Sequence, residues 1–281
     1  MNAIDCRGLT KTYDGFTLDH ITFTLPAGCI LGLVGENGAG KSTTLRLLMD
    51  AIARDEGTVE VLGTDNRSPD FVRVKQDIGV VLDEACFPEV LTPREMGRVF
   101  ARLYDRWDGA CYDGYLARFG LDGDKKFKDL SRGTRMKLAL AAALSHEAKL
   151  LLLDEATSGL DPMVRDEILD VLNDFTREED RSVIFSSHIV TDLEKVCDYI
   201  AFLHRGNLVL FEEKDRLLEE YALVSLTAEQ LEGLDPAAVA GRKVGPYGAR
   251  ALVRRSLMPA GFSVERTGLE DIILFLAKEG L

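Results

Sequence analysis

Gly35-Glu36-Asn37-Gly38-Ala39-Gly40-Lys41-Ser42-Thr43 fits the pattern G-x-x-x-x-G-K-[ST], a loop that holds the phosphates of a nucleoside triphosphate. Glycines at 35, 38 and 40 let the main chain bend until successive N–H groups point inward, and Asn37, Ala39 and Thr43 complete the expected cradle. Lys41 brings a mobile positive charge to the β and γ phosphates. Ser42 offers a hydroxyl to the Mg²⁺ that travels with the nucleotide. Cys29-Ile30-Leu31-Gly32-Leu33-Val34 before the loop is apolar and reads as a strand; Thr44-Leu45-Arg46-Leu47-Leu48-Met49 after it carries a helical pattern. Strand, loop and helix in that order aim the partial positive charge of the helix N-terminus at the phosphates.

The chain of 281 residues is long enough for one large domain with a small companion. A formal net charge of −13 argues against nonspecific binding to nucleic acid backbones, so no nucleic acid partner is expected. The five cysteines, at 6, 29, 86, 111 and 197, show no metal-ligand spacing and read as free thiols in a reducing cytosol. The N-terminus lacks the apolar core of a signal peptide. No apolar stretch approaches the roughly 18 residues that a bilayer span needs, so membrane association would come through a partner or a surface.

Outward from the loop, the pattern is mixed α/β. Strands are expected over Ala3–Thr10, Phe16–Leu25, Gly57–Gly63 and Ile78–Leu82, with Asp14-Gly15 and Pro26-Ala27-Gly28 as turns. The helix behind the loop is expected over Ser42–Ala53. From about 90 to 145 the pattern turns helical, with helices at Pro93–Tyr104, Tyr112–Phe119 and Arg132–Ser145. Leu150-Leu151-Leu152-Leu153-Asp154-Glu155 is an unbroken apolar run ending in two carboxylates, as in a central parallel strand covered on both faces. A helix over Val164–Glu179, strands at Ser182–Ser186, Tyr199–Leu203 and Asn207–Phe211, and a helix at Val190–Val196 complete a core domain over 1–218. Residues 219–281 read as a small appended α+β domain. Its strands are expected at Ala222–Leu226, Ala251–Arg254 and Phe262–Arg266, and a final helix at Leu269–Lys278.

Two adjacent carboxylates at a buried strand end are costly unless a cation or proton compensates them. With a phosphate loop in the same chain, Asp154 reads as a ligand of the Mg²⁺ shell and Glu155 as the general base for an attacking water. His188 follows an apolar strand, where open α/β sheets put their ligands, and could hydrogen-bond a γ-phosphate. Tyr13 is an aromatic beside a turn and, taken alone, reads as packing.

In order, these motifs resemble the nucleotide-binding subunit of an ABC transporter, over about residues 1–215. Leu130-Ser131-Arg132-Gly133-Thr134 is similar to the signature Leu-Ser-Gly-Gly-Gln, and Asp154 to Pro162 resembles the Walker B motif running into the D-loop. The resemblance implies a P-loop NTPase core of ABC type, with an antiparallel β subdomain and an inserted helical subdomain. It implies ATP and Mg²⁺ as cofactors. It makes Lys41, Glu155 and His188 catalytic, and it makes Tyr13 the aromatic that stacks on adenine. It also implies that Ser131 and Gly133 cap the γ-phosphate held by a second chain, with Asp161 crossing the interface. Partners would be that second ATPase chain and a separate transmembrane subunit, which would hold the protein on the inner face of the cell membrane, in the cytoplasm.

The chain departs from the pattern at a few positions. Asp83, followed by Glu84, stands where the family has a glutamine that touches Mg²⁺; a carboxylate can coordinate the cation too, and is carried as a metal contact. Arg132 replaces a glycine, Thr134 a glutamine and Ala156 a proline. Arg132 either adds positive charge near the anion or faces solvent. The segment 83–93, with Phe87, Pro88 and Leu91, is expected to receive the membrane subunit. The tail Val264–Phe275 resembles the C-terminal tails of exporter ATPases. A second function class is a soluble ABC ATPase acting on a ribosome, nucleic acid or assembly scaffold; a single cassette, no heptad run and an acidic balance weigh against it.

Overall fold

Alternating side chains at the N-terminus form a hairpin, β1 (Asn2–Tyr13) and β2 (Phe16–Pro26), around the expected Asp14-Gly15 turn. The computed structural model describes residues 1–83, 87–245 and 248–279, the last two without their side chains. Glu84 and Cys86 lie outside the described residues.

The apolar run before the phosphate loop is β3 (Ile30–Val34), buried along its length. The helix after it, α1 (Lys41–Leu48), is shorter than expected. Asp50 ends it at φ +48°, with the N–H of Ala51 bonded to the carbonyl of Arg46 at 2.9 Å and that of Asp50 to Leu47 at 3.1 Å. That is a Schellman closure with aspartate in the position glycine usually takes, a stop that hydrophobic periodicity does not report. β4 (Glu56–Val61) and β5 (Thr64–Asp65) extend the hairpin side, and a single turn, α2 (Phe71–Val74), leads to β6 (Ile78–Val81).

The inserted helices are α3 (Pro93–Phe100), α4 (Gly109–Arg118) and α5 (Arg132–Leu144). A capping box starts α3: Thr92 Oγ1 accepts from Glu95 N at 3.3 Å while Glu95 Oε2 accepts from Thr92 N at 3.0 Å. Phe87 packs 5.5 Å from Phe100 and 5.6 Å from Phe127. Phe87 and Leu91 are half-buried against the main apolar core, while Pro88 is exposed.

The core continues through β7 (Leu150–Asp154), α6 (Pro162–Phe175), β8 (Ser182–Ser187), α7 (Val190–Val196), β9 (Tyr199–His204) and β10 (Asn207–Glu213). Among the described residues, ten strands make one mixed sheet in the order β5-β4-β1-β2-β10-β9-β3-β8-β7-β6. Its β9-β3-β8-β7-β6 half is parallel, and β1, β2, β4 and β5 form an antiparallel arm. This is the expected α/β core with its β arm and inserted helices. The parallel register sets Val34 beside Ser187 and Asp154 beside Ser186. The phosphate loop, Glu155 and His188 therefore leave adjacent strand ends, where open sheets of this kind place ligands.

After the core come α8 (Lys214–Glu220), β11 (Tyr221–Leu226), α9 (Ala228–Glu232), β12 (Val239–Gly245), β13 (Gly248–Arg254) and α10 (Leu269–Glu279). A separate antiparallel sheet has the order β11-β13-β12. Alternation along β11 sends Tyr221 and Leu223 into the main apolar core and Ala222, Val224 and Leu226 into a small cluster with Leu231 and Val253. The strand expected at Phe262–Arg266 is reduced to one bridge, Glu265 to Leu223, with Gly261 at φ +103° before it. In its place the sheet takes β12, whose charged residues Arg242 and Lys243 are exposed on an edge. No helix among the described residues is long and apolar enough to cross a membrane.

Candidate functional site

The phosphate loop leaves β3 and enters α1 through two glycines, one closed in by main chain and one in a backbone conformation that a larger residue would strain. A Cβ on Gly35 would lie 2.4 Å from the carbonyl oxygen of Leu203, and one on Gly40, at φ +113°, 2.7 Å from Leu18 Cδ1. Lys41 is the first residue of α1 and is buried. Its Nζ donates to the carbonyls of Gly35 at 2.7 Å and Glu36 at 3.3 Å, and it lies 3.0 Å from Glu155 Oε1. This last contact has ion-pair distance without hydrogen-bond alignment, so buried Oε1 keeps its capacity to accept a proton donor.

Glu155 follows β7 at φ +50°, in the left-handed region. A non-glycine residue held there costs about 1–3 kcal/mol, and such residues gather at functional sites. Its other oxygen, Oε2, sits 2.7 Å from His188 Nδ1 and accepts from the His188 N–H at 3.4 Å. Glu155 thus stands between Lys41 and His188, the trio expected to be catalytic.

Asp154 is 5% exposed, and the Ser186 hydroxyl donates to its Oδ1 at 2.7 Å. The same hydroxyl oxygen accepts from Glu155 N at 3.0 Å. Ser186 therefore fixes the Asp154 carboxylate and the main chain of Glu155, a role missed in the sequence reading. Its signal was there: a serine ending an apolar strand that pairs with the acidic one. Ser42 is half-buried in the first turn of α1, which packs against β7.

The described residues contain no cluster of three or more histidine, cysteine or acidic groups disposed to hold a metal ion. Ser42 and Asp154 are hard oxygen donors, too few for an all-protein cage. They fit a Mg²⁺ that arrives with phosphate ligands of its own. Asp83 Oδ1 accepts from Arg132 Nη2 at 2.6 Å.

Ser131 is the N-cap of α5. Its Oγ accepts from Thr134 N at 3.2 Å and lies 2.7 Å from the Thr134 hydroxyl. Gly133 follows within the first turn. Asp161 is exposed and caps α6, its Oδ1 accepting from Met163 N and Val164 N at 3.1 Å each. Among the described residues no hydrogen bond or ion pair links Ser131, Gly133 or Asp161 to Lys41, Glu155 or His188. Tyr13, at the end of β1, is 42% exposed, with Lys11 Nζ 5.6 Å from its ring centre. Asn37 and Gly38 are exposed, Ala39 is buried and Thr43 is half-buried. Two cysteines lie in the sheet core, and burial pushes the Cys6 thiol up to about 12 and that of Cys197 higher still. Both act as small apolar side chains.

A family model described as ABC transporter matches residues 18–158. The ABC transporter ATP-binding protein YtrB of Bacillus subtilis is 32% identical over 79% of this chain and 76% of its own length. The bacitracin transport ATP-binding protein BcrA of Enterococcus faecalis is 33% identical over 74% and 68%. The daunorubicin/doxorubicin resistance ATP-binding protein DrrA of Streptomyces peucetius is 31% identical over 98% and 92%. In fold, the chain is similar to an ATP-binding subunit of an ABC transporter, with TM-score 0.70 and 24% identity over 76% of this chain and 91% of that one. It is similar also to an ATP-binding cassette dimer in a post-hydrolysis state with ADP and Pi, with TM-score 0.68 and 22% identity over 75% and 98%.

Proposed function

The chain belongs to the ABC transporter family, as an ATP-binding subunit with ATPase function, and from that premise we propose that it drives export by closing on a second ATPase chain around ATP. The observation that carries this reading is the placement of Glu155, with Oε2 held by His188 at 2.7 Å and Oε1 open to a donor beside Lys41. In that position Oε1 accepts the proton of a water that attacks the γ-phosphorus, while Lys41 and His188 meet the charge spreading over the phosphoryl oxygens. Asn37, Gly38, Ala39, Gly40 and Thr43 line the phosphates, and Tyr13 stacks on the base. Ser42 and Asp154 would hold Mg²⁺, which would supply screening of phosphate charge. Asp83 remains within the metal set only through the oxygen that Arg132 leaves free.

The second half of the site comes from the other chain. Ser131 and Gly133 at the start of a 13-residue helix present N–H groups and a partial positive charge to a phosphate. Among the described residues they have no polar link to Lys41 within one chain, which supports a trans arrangement, in which Asp161 crosses the interface. The relatives' bacitracin and daunorubicin names support export as the direction. A separate membrane subunit would dock near Pro88 and hold the protein at the inner face of the membrane, and residues 219–281 would act as a small accessory domain. Purified chain should release phosphate from ATP with Mg²⁺, and affinity capture from detergent-solubilised cells should recover a multi-span membrane protein. Recovery of a ribosome or soluble scaffold instead would refute the transport reading.

A further inference from the structure

Two positions at which this chain departs from the family pattern, Asp83 and Arg132, touch each other. Arg132 Nη2 donates to Asp83 Oδ1 at 2.6 Å across 49 residues. Asp83 lies two residues beyond β6 and Arg132 opens α5, so the pair joins the edge of the core sheet to the inserted helices. On its other side the guanidinium reaches the loop between Glu155 and α6. Its Nη1 is 3.0 Å from where a Cβ on Gly159 would stand, and Gly159 has φ +67°. A side chain at 159 would meet Arg132. One guanidinium therefore spans the end of β6, the helix start that carries Ser131 and Gly133, and the loop that leads to Asp161.

We propose that the Arg132–Asp83 pair is an in-chain tie that positions the α5 N-terminus for the second nucleotide, making both side chains positioning residues of the ATP-bound dimer. The inference rests on the trans role of Ser131 and Gly133 given above. Arginine suits this task because its planar fork binds a carboxylate in a fixed direction, where a lysine would act as a point charge. The two side chains are 52% and 49% exposed, so the pair adds little to global stability. Its effect is geometric. The helix start must meet a phosphate held by another chain, and displacement of about 1 Å in such a contact is enough to weaken it severely.

The test uses the full chain carrying Glu155→Gln, so that ATP-dependent dimerisation can be followed by light scattering without turnover. Arg132→Ala and Asp83→Ala should each raise the ATP concentration for half-maximal dimerisation by about 5-fold. The double alanine variant should be no worse than either single one, and the exchange Arg132→Asp with Asp83→Arg should recover most of the loss. With Glu155 intact, Arg132→Ala should shift the apparent KM for ATP and leave kcat nearly unchanged. Additive losses overturn the tie. So does a lower ATP requirement in Asp83→Ala, which would mean that freed Arg132 acts on phosphate itself. Hydrogen exchange on the nucleotide-free chain separates this failure from failure of the dimer reading. Both single variants should speed exchange at the Thr134 and Arg135 amides alike, and unchanged exchange there refutes the tie whatever the dimer does.

Discussion

His188 Nδ1 lies 2.7 Å from Glu155 Oε2, joining the loop after β8 to the loop after β7. An ionised carboxylate only accepts, so the proton of this bond belongs to Nδ1, and Nε2 faces away from Glu155. The histidine therefore orients the glutamate and keeps a second nitrogen for another group.

Glu155→Gln should lower phosphate release by about 10²–10⁴-fold, the usual weight of a general base. The amide keeps the hydrogen-bonding shape but cannot take the proton. ATP affinity, read by equilibrium binding, should stay near that of the parent. Hydrolysis at the parent rate would remove Glu155 from the base role.

Lys41→Ala should weaken ATP binding by about 10–100-fold, in keeping with the loss of a charge-assisted contact. Isothermal titration with ATP reads this directly. Lys41 is 6% exposed and 3.0 Å from Glu155, so the variant also leaves a buried carboxylate without its cation, and a lower unfolding temperature should accompany the weaker binding.

Arg165 and Asp192 form a second tie behind the site. The Arg165 Nε donates to Asp192 Oδ2 at 3.2 Å, and the Asp192 side chain is only 3% exposed. The pair joins α6, which Asp161 caps, to α7, which follows His188. Asp192→Ala should cost about 3 kcal/mol in urea unfolding, because removing one partner strands a guanidinium at a partly buried position. Replacing both by leucine and methionine should restore much of that loss.

Stability should fall on acidification partly through His146. Burial holds its imidazole below the usual histidine range, against the raising effect of its bond to the Gln76 carbonyl at 3.1 Å. The ring also stacks on Tyr104 with centroids 3.9 Å apart. As pH drops below the unfolded histidine value, the unfolded chain binds a proton that the folded one refuses, so unfolding becomes easier. The loss ends once pH passes below the folded value. Urea midpoints measured from pH 7 to pH 5 should therefore decline less steeply in His146→Gln than in the parent.

The Gly35–Thr43 loop, the acidic strand end at Asp154-Glu155 and the α/β alternation could be read directly from the sequence. Each depends on residues within one turn or one strand, and glycine freedom, strand periodicity and helix-start polarity are local physics. The family pattern extended that reading to His188, Ser131 and Asp161. Other features depended on neighbours distant in sequence. Ser186 became the clamp on the Asp154 carboxylate and the Glu155 main chain only through the β7–β8 register. The edge strand β12 formed because β13 offered it a partner, despite its own weak alternation. Asp83 and Arg132 read separately as a metal contact and a loose cation, 49 residues apart. Only the packing of α5 against β6 brought them to 2.6 Å. A pairing between charges is set by the distance and direction between two backbone segments, and no repeat or spacing along the chain encodes that.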